Sequence, residues 1–556
     1  MPKLTLKLLS VLVAIALFAW FGMFLARKID LTTADLGRHI QNGNIIVHGS
    51  WHDKWAVLHT NFYSYTLPDA PFVNHHWGTG VLFYFLWSCF GFTGLSLFYI
   101  ALGLATLWLF FDVARKASNF FIAAILTILL IPLFASRAEV RPEMITYFFT
   151  GVFFWVVWSW SRSLLANQLP PTPSLLKREG AGEKSSHWML WALPAVMLLW
   201  VNLHIGFVFG FLVLGAFGLE QLAVSLFVAG RPSPIGPKVS ALFKPGDFRT
   251  LLLVSLGCVV AGLVNPFGYK LLLFPLEIFK NYGYLIVENQ SISFLEKINF
   301  TNGQHFLLFK IAIGLAAASF VAVAFKQWRK IDLAGTVLVL VTGLIAYKGI
   351  RHFPTYSFFL LPVIAGYIYV LKPKQLHIAY KAALVMASLA VAGTALFSQY
   401  QTFQVLRPIL GTGLMFEVNA SADFYKNNNI TGPIFNNYDI GGYLIYHLHD
   451  SQAQVFVDNR PEAYTVDFFE RMYKTPQTDN TAWSELDSKY HFNSIFFSYR
   501  DYTPWAQQFL IARVQDPAWA PVFVDGYNII FLRRDNPENA EVIKNHLLPP
   551  SMFGVK

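Results

Sequence analysis

The chain has 556 residues, of which 55% are AVILMFWYC, 17% are aromatic and only 13% are charged, against roughly a quarter charged in an ordinary soluble domain. Most of the chain is therefore excluded from water-soluble folding, and disordered, collagen-like and nucleic-acid-binding classes fall with it; the class that remains is a polytopic membrane protein. The formal charge of +10 is uneven, with 30 Lys+Arg against 15 Asp+Glu up to residue 406 and 12 against 17 beyond it, so the basicity is an orientation signal of the membrane part and no nucleic acid partner is expected.

Leu8–Ala26 is a charge-free run after Lys3 and Lys7, long enough to cross a ~30 Å hydrocarbon core at 1.5 Å per residue. It ends in Phe, Met and Leu instead of a small-residue cleavage site, and reads as a retained first span. Ten more spans are expected near 94–111, 119–135, 142–160, 188–203, 205–228, 250–266, 306–325, 333–350, 354–371 and 378–398. Ala70–Phe111 carries no charge and has room for two spans. Loop charge decides for one: the clusters at Arg115/Lys116, Arg162/Lys177/Arg178/Lys184, Arg231/Lys238/Lys244/Arg249, Lys326/Arg329/Lys330 and Lys372/Lys374 then share a side with Lys3 and Lys7. Residues 76–90 become an interfacial helix. The N-terminus is placed in the cytoplasm and the C-terminus outside an inner cell membrane.

The outer side is acid-rich, with Asp30, Asp35, Asp53, Asp69, Glu139, Glu143, Glu277, Glu288 and Glu296 in its loops or at span ends. Two of its loops, 27–93 and 266–305, are long, and long structured loops tend to carry function. From residue 400 the pattern changes to an α/β domain of one-domain size, 400–556, following a membrane part of 1–399. Strands are expected in PIFNNY, GYLIYHL, AQVFVDNR, NSIFFSY, APVFVDG and YNIIFLRR, and helices near 419–428, 465–474, 481–489 and 504–514. Asp525-Gly526 signals a hairpin. Cys89 and Cys258 lie in apolar stretches, so neither a disulfide framework nor a thiolate metal site is available. The Pro/Ser-rich stretches 169–186 and 231–246 read as flexible inner loops.

Within DLGRHIQNGNIIVHG, Asp35 and His39 are four apart and share one face of a helix expected to end at Asn42-Gly43. A carboxylate and an imidazole so placed serve as general base and proton partner, or as two metal ligands; the alternative is that Asp35 offsets the helix dipole. His48, His52, His59, His75 and His76 crowd the same loop and read mostly as packed or interfacial. Arg137, Glu139, Arg141 and Glu143 lie at the outer end of a span, where arginines either anchor the chain or grip a lipid phosphate with the guanidinium fork. Lys348, Arg351 and His352 form a second such group. Asn202 and His204 either cap helix ends, which is the favoured reading, or line a cavity. Asp458, Arg460 and Glu462 in FVDNRPE suggest a salt-bridged strand end.

The order Asp35, His39, Gly43, then NFYSYTLPDAPFVNHHWGTGVLFYFLW, Arg137 to Glu143, WVNLHIGFVFG, NPFGY and GGYLIY…VFVDNRPEAY resembles a bacterial branch of the GT-C superfamily of integral-membrane glycosyltransferases. That superfamily includes protein O-mannosyltransferases, aminoarabinose transferases and oligosaccharyltransferases. The resemblance implies about eleven transmembrane helices, a first outer loop with two interfacial helices and a catalytic acid, and a polyprenyl-phosphate sugar donor used on the outer face. The acceptor is then a lipid, glycan or protein. Asp35 is the position carried over as catalytic, with His39 beside it; Arg137, Arg141 and Arg351 are assigned to the donor phosphate. Glu143, His75, His76 and Glu288 are supporting candidates. A divalent metal is compatible with the resemblance, although Asp30 and Asp35 are five apart and no Asp-x-Asp occurs in the loop. Two other classes fit the composition: a transporter or flippase of lipid-linked envelope intermediates, and a non-catalytic envelope-assembly protein.

Overall fold

A computed structural model describes residues 3–33, 35–168, 186–229, 245–277, 280–300, 303–372, 378–449 and 454–553. The stretches expected as inner loops, 169–186 and 231–246, lie almost wholly outside the described residues.

The helices in chain order are α1 (Lys3–Leu25), α2 (Leu36–His48), α3 (Trp51–His59), α4 (Trp77–Ala117), α5 (Phe120–Phe134), α6 (Glu143–Gln168), α7 (Ser186–Leu203), α8 (Val208–Ala229), α9 (Pro245–Gly262), α10 (Tyr269–Leu273), α11 (Ile292–Lys297), α12 (Gly303–Gln327), α13 (Leu333–Lys348), α14 (Phe353–Leu371) and α15 (Ile378–Leu406). Each of the eleven expected spans coincides with one of them. Among the described residues seven helical stretches are long and apolar enough to cross a membrane, and 188–203, 248–262 and 333–348 are shorter apolar helices. At 1.5 Å per residue the 41-residue α4 would reach about 60 Å, twice a bilayer core. It breaks at Gly91, whose φ of 64° and ψ of −167° leave the helix and favour glycine. Residues 77–90 are thus a helical arm set off from the rest of α4 by this break.

Aromatic packing holds the bundle. Phe110 of α4 stacks on Phe154 of α6 and Phe358 of α14, and Phe358 stacks on Phe134 of α5 with centroids 4.6 Å apart. Offset ring pairs of this kind add about 0.5–1.5 kcal/mol beyond their buried area. Polar bonds fix the outer helices: Trp20 Nε1 donates to Gln399 Oε1 at 2.8 Å, and Gln399 Nε2 to the Ile128 carbonyl at 2.6 Å, joining α1, α15 and α5. At one end the exits of α1 and α15 are stapled by Lys28 N–H to Ile409 O at 2.8 Å and Gly411 N–H to Ala26 O at 2.9 Å.

The helix carrying Asp35 runs past Gly43 to His48, five residues beyond the end expected for it. Gly43 is not a cap there. It sits at a helix crossing, where a Cβ would lie 2.2 Å from the Gly80 carbonyl oxygen and 2.5 Å from Cβ of Tyr84, so only glycine lets α2 approach α4 this closely.

After α15 come α16 (Ala420–Asn427), β1 (Ile434–Asn436), α17 (Gly441–Leu448), β2 (Ser494–Ser498), β3 (Trp519–Val524) and β4 (Asn528–Arg533). The sheet order is β1-β2-β4-β3, with β1 parallel to β2 and the other pairs antiparallel. The hairpin forms where Asp525-Gly526 signalled it, Asp525 Oδ1 accepting from the Tyr527 and Asn528 amides at 2.7 Å each. Helices at Asn480–Tyr490 and Pro504–Gln515 flank the sheet, around a core of Phe435, Trp483, Phe492, Phe497 and Phe509.

Two strand expectations are corrected. GYLIYHL is α17, buried on nearly every side, so it lacks the polar face that separates a helical period from a strand. Its Gly442 and Tyr446 press on Gly37 of α2. AQVFVDNR forms only an isolated bridge, Val455 with Ser64, because its partner is the first loop and not the sheet. The run expected as a helix at 465–474 is helical but wound as a π-helix over Phe468–Lys474.

Candidate active site

Asp35 stands at the N-cap of α2, yet its side chain bonds no backbone amide. Oδ2 accepts instead from Nη2 of Arg38 at 3.2 Å and from Nε2–H of His39 at 3.1 Å, the i+3 and i+4 positions of one helix face. Oδ1 is buried without a partner among the described residues, as is Nδ1 of His39. Burial by itself would raise the Asp35 pKa, but His39, Arg38 and Arg141 outweigh it and hold the carboxyl well below its ordinary range. Burial pushes the His39 imidazole down, so it is neutral and its one N–H goes to the carboxylate.

Behind His39 the rings of His76, His75 and His204 follow one another, at centroid distances of 5.2, 4.0 and 4.8 Å along the contacts His39–His76, His76–His75 and His76–His204. Burial drives His75 down to about 3 and His76 well below the usual imidazole value. These are packed neutral rings. His204 caps the turn after α7, its Nδ1 accepting from the Gly206 amide at 3.0 Å, as the sequence led one to expect.

The arginines meet in a second group. Arg137 pairs with Glu288 and, at 3.2 Å, with Glu143; Arg351 Nη2 donates to the same Glu143 oxygen at 2.9 Å and Nη1 to Asn289 at 3.0 Å. Arg141 Nε donates to Glu139 at 2.7 Å, and its Nη1 lies 3.6 Å from Glu288. Three guanidinium groups thus face three carboxylates. Burial alone would lift the Glu288 carboxyl, but Arg137, Arg141 and Arg351 bring it down to about 2. Glu288 belongs to the second long loop, so that loop closes onto the bundle through this cluster. Its Tyr284 stacks on Tyr438 of the C-terminal region with centroids 4.1 Å apart.

The C-terminal region adds one group the sequence did not single out, Asp439, beside the three it did. Asp439, next to Tyr438, is raised to about 7 by burial and by Asp501, against the pull of Arg141. Glu462 is raised mainly by burial, against Arg38 and Arg460. Asp458 and Arg460 form the expected salt bridge, at 2.6 Å with both side chains at most 2% exposed, in a coil and not a strand. Arg38 was the one omission the spacing could have revealed, since it shares a helix face with Asp35. Nothing in the sequence signals that Asn459 comes near that face, or that Asp439 comes within reach of Arg141.

The described residues do not fit a metal: no three of His, Cys, Asp and Glu converge as ligands would, and the Arg38 guanidinium already occupies one oxygen of Asp35. Lys348 takes no part in either group.

With a bundle of apolar helices, two long loops and an α/β region gathered at one end, the chain shares its fold with solved archaeal oligosaccharyltransferase structures. Among solved structures it is similar to the archaeal oligosaccharyltransferase AglB from Archaeoglobus fulgidus in complex with an inhibitory peptide and a dolichol-phosphate, with a TM-score of 0.58 and 11% identity over 94% of this chain and 74% of that one. The Archaeoglobus fulgidus protein tethered to an acceptor peptide with the NVT sequon gives 0.56 and 11% over 94% and 74%, and its complex with Zn and sulfate gives 0.52 and 11% over 93% and 72%. No protein-family description and no curated protein matches the sequence.

Proposed function

We propose that the chain is a membrane glycosyltransferase that moves a sugar from a polyprenyl-phosphate-linked donor to a lipid, glycan or protein acceptor. The observation that carries this reading is Asp35: an ionised carboxylate with one oxygen held by Arg38 and His39 and the other buried without a partner, at the loop-bearing end of a GT-C fold. As the acceptor oxygen attacks the anomeric carbon, Oδ1 takes its proton, and the bond from that carbon to the donor phosphate breaks. The leaving phosphate carries the charge away, and Arg141, Arg351 and Arg137 stabilise it. A lipid-linked donor is supported by the dolichol-phosphate bound to AglB.

Because Arg137, Arg141 and Arg351 are engaged by carboxylates, a phosphate enters by replacing Glu288 in the guanidinium forks, which ties donor binding to the second long loop. The residues at hand give no step to a metal. The N-terminus is assigned to the cytoplasm and the site to the outer face of the inner membrane, with the membrane part at 1–399 and the exposed domain at 400–556. A reporter fused after residue 400 is expected outside, and an inside signal overturns that orientation.

The purified chain in nanodiscs, given a polyprenyl phosphate carrying a labelled sugar and a membrane extract as acceptor source, is expected to release free polyprenyl phosphate and leave the label on the acceptor. A transporter would move the intact labelled lipid between leaflets without releasing polyprenyl phosphate, and a non-catalytic assembly protein would do neither. Either outcome removes the enzyme reading.

A further inference from the structure

Arg38 is the side chain through which α2 and the C-terminal region meet beside Asp35. It is 4% exposed, and its guanidinium bonds in two directions: Nη2 donates to Asp35 Oδ2 and Nε to Asn459 Oδ1, each at 3.2 Å. An arginine side chain has much rotamer freedom to lose, and one bond of this length to a partly exposed carboxylate does not confine it. The bond to Asn459 closes the second end.

Asn459 is itself held from both sides. Asp458 Oδ1 accepts from the Arg460 backbone amide at 3.1 Å and from Arg460 Nε at 2.7 Å, and Arg460 Nη2 reaches Asn61 Oδ1 at 2.6 Å. The Arg460 guanidinium lies over Phe72 at 4.7 Å and Tyr63 at 5.4 Å. Tyr63 in turn donates to Asn42 Oδ1 on α2 at 2.7 Å, one turn beyond Arg38. The same tripeptide therefore grips α2 at two successive turns, once directly and once through the first loop.

The geometry points to Asn459 as a positioning residue: by holding Arg38 on Oδ2 of Asp35 it leaves Oδ1 as the one oxygen open to a proton, so the seating of the C-terminal region sets the state of the base. This rests on Asp35 being the base of the proposed reaction. Asn459 is neutral, so its replacement by an apolar side chain alters no charge around Asp35. His39 on α2 and His204 after α7 stay neutral, Arg141 before α6 keeps its charge, and Glu462 still faces Arg38. Any change in the Asp35 titration then reports where Arg38 has gone.

The test is infrared spectroscopy of the full chain in nanodiscs, following the protonated carboxyl band that Asp35→Asn abolishes, as a function of pH. In Asn459→Leu the midpoint should rise by about one unit, since a cation within bonding distance moves a carboxyl by that order. Asn459→Gln, which keeps a neutral amide oxygen able to accept from Arg38, should stay near wild type, and in an Arg38→Met background Asn459→Leu should add nothing. An unmoved midpoint in Asn459→Leu overturns the proposal, and so does an equal shift with and without Arg38, which would make Asn459 merely structural. A titration that behaves as expected, alongside wild-type turnover by Asp35→Asn, keeps the positioning role and removes the base assignment.

Discussion

Two groups of charge lie at the same end of the helical bundle and are built in opposite ways. Around Asp35 a single carboxylate is met on one oxygen only, and the other is buried without a partner among the described residues. Around Glu143 and Glu288, Arg137 and Arg351 share one oxygen of Glu143, and Glu288 reaches Arg137 and Arg141. The first group has spare capacity, which is what a reacting group needs; the second is closed, which is what holds a loop to a bundle until a better anion arrives. The difference teaches that residue type alone does not assign a role, because acids and arginines occur in both.

The same amide substitution in the two groups should break them unequally. Glu143→Gln takes the carboxylate from Arg351 and leaves Arg137 with Glu288 alone, and the expected cost is about 3 kcal/mol, the low end for breaking a buried pair. Asp35→Asn still offers Arg38 an oxygen and should cost under about 1 kcal/mol. Thermal unfolding in detergent compares them, and equal losses would erase the contrast. Next in size, Arg351→Ala should weaken binding of a polyprenyl-phosphate donor by about 1 to 3 kcal/mol, the worth of a charge-assisted bond. Unchanged affinity with intact expression would make Arg351 an anchor for Asn289 and Glu143 only.

A third, graded effect follows from Glu288. Its pKa is depressed to about 2 in the folded chain, against about 4.3 when free, so its contribution is fully present above the free value and is lost as pH falls toward 2. Hydrogen exchange over residues 280–300 should therefore be flat from pH 7 to about 5 and increase, after correction for intrinsic rates, below about 4. Protection that persists to pH 2 would show that Tyr284 and its aromatic neighbours alone hold the loop.

Much of the frame was legible because long apolar runs admit few readings. The break at Gly91 was legible only indirectly, through the parity of loop charges. α17 was misread as a strand since burial on all sides removes periodicity, and the reach of α2 past Gly43 was missed because glycine serves equally as a cap and as a crossing point. Asp35 with His39 was legible from a spacing of four. The pairing of Arg137 with Glu288 and of Arg351 with Glu143 joins residues 151 and 208 apart, and Arg38 with Asn459 joins residues 421 apart. No local rule carries that far; such contacts come from the way whole elements dock.

The central claim is that Asp35 takes the proton of the acceptor. Release of free polyprenyl phosphate from a labelled donor, measured for wild type and Asp35→Asn side by side in nanodiscs, tests it most directly. The account expects donor affinity to hold while kcat falls roughly 10²- to 10⁴-fold, the range that general-base catalysis supplies. Wild-type release by Asp35→Asn, from a preparation in which the wild type is active, would contradict it and turn attention to Asp439, whose carboxyl is raised to about 7.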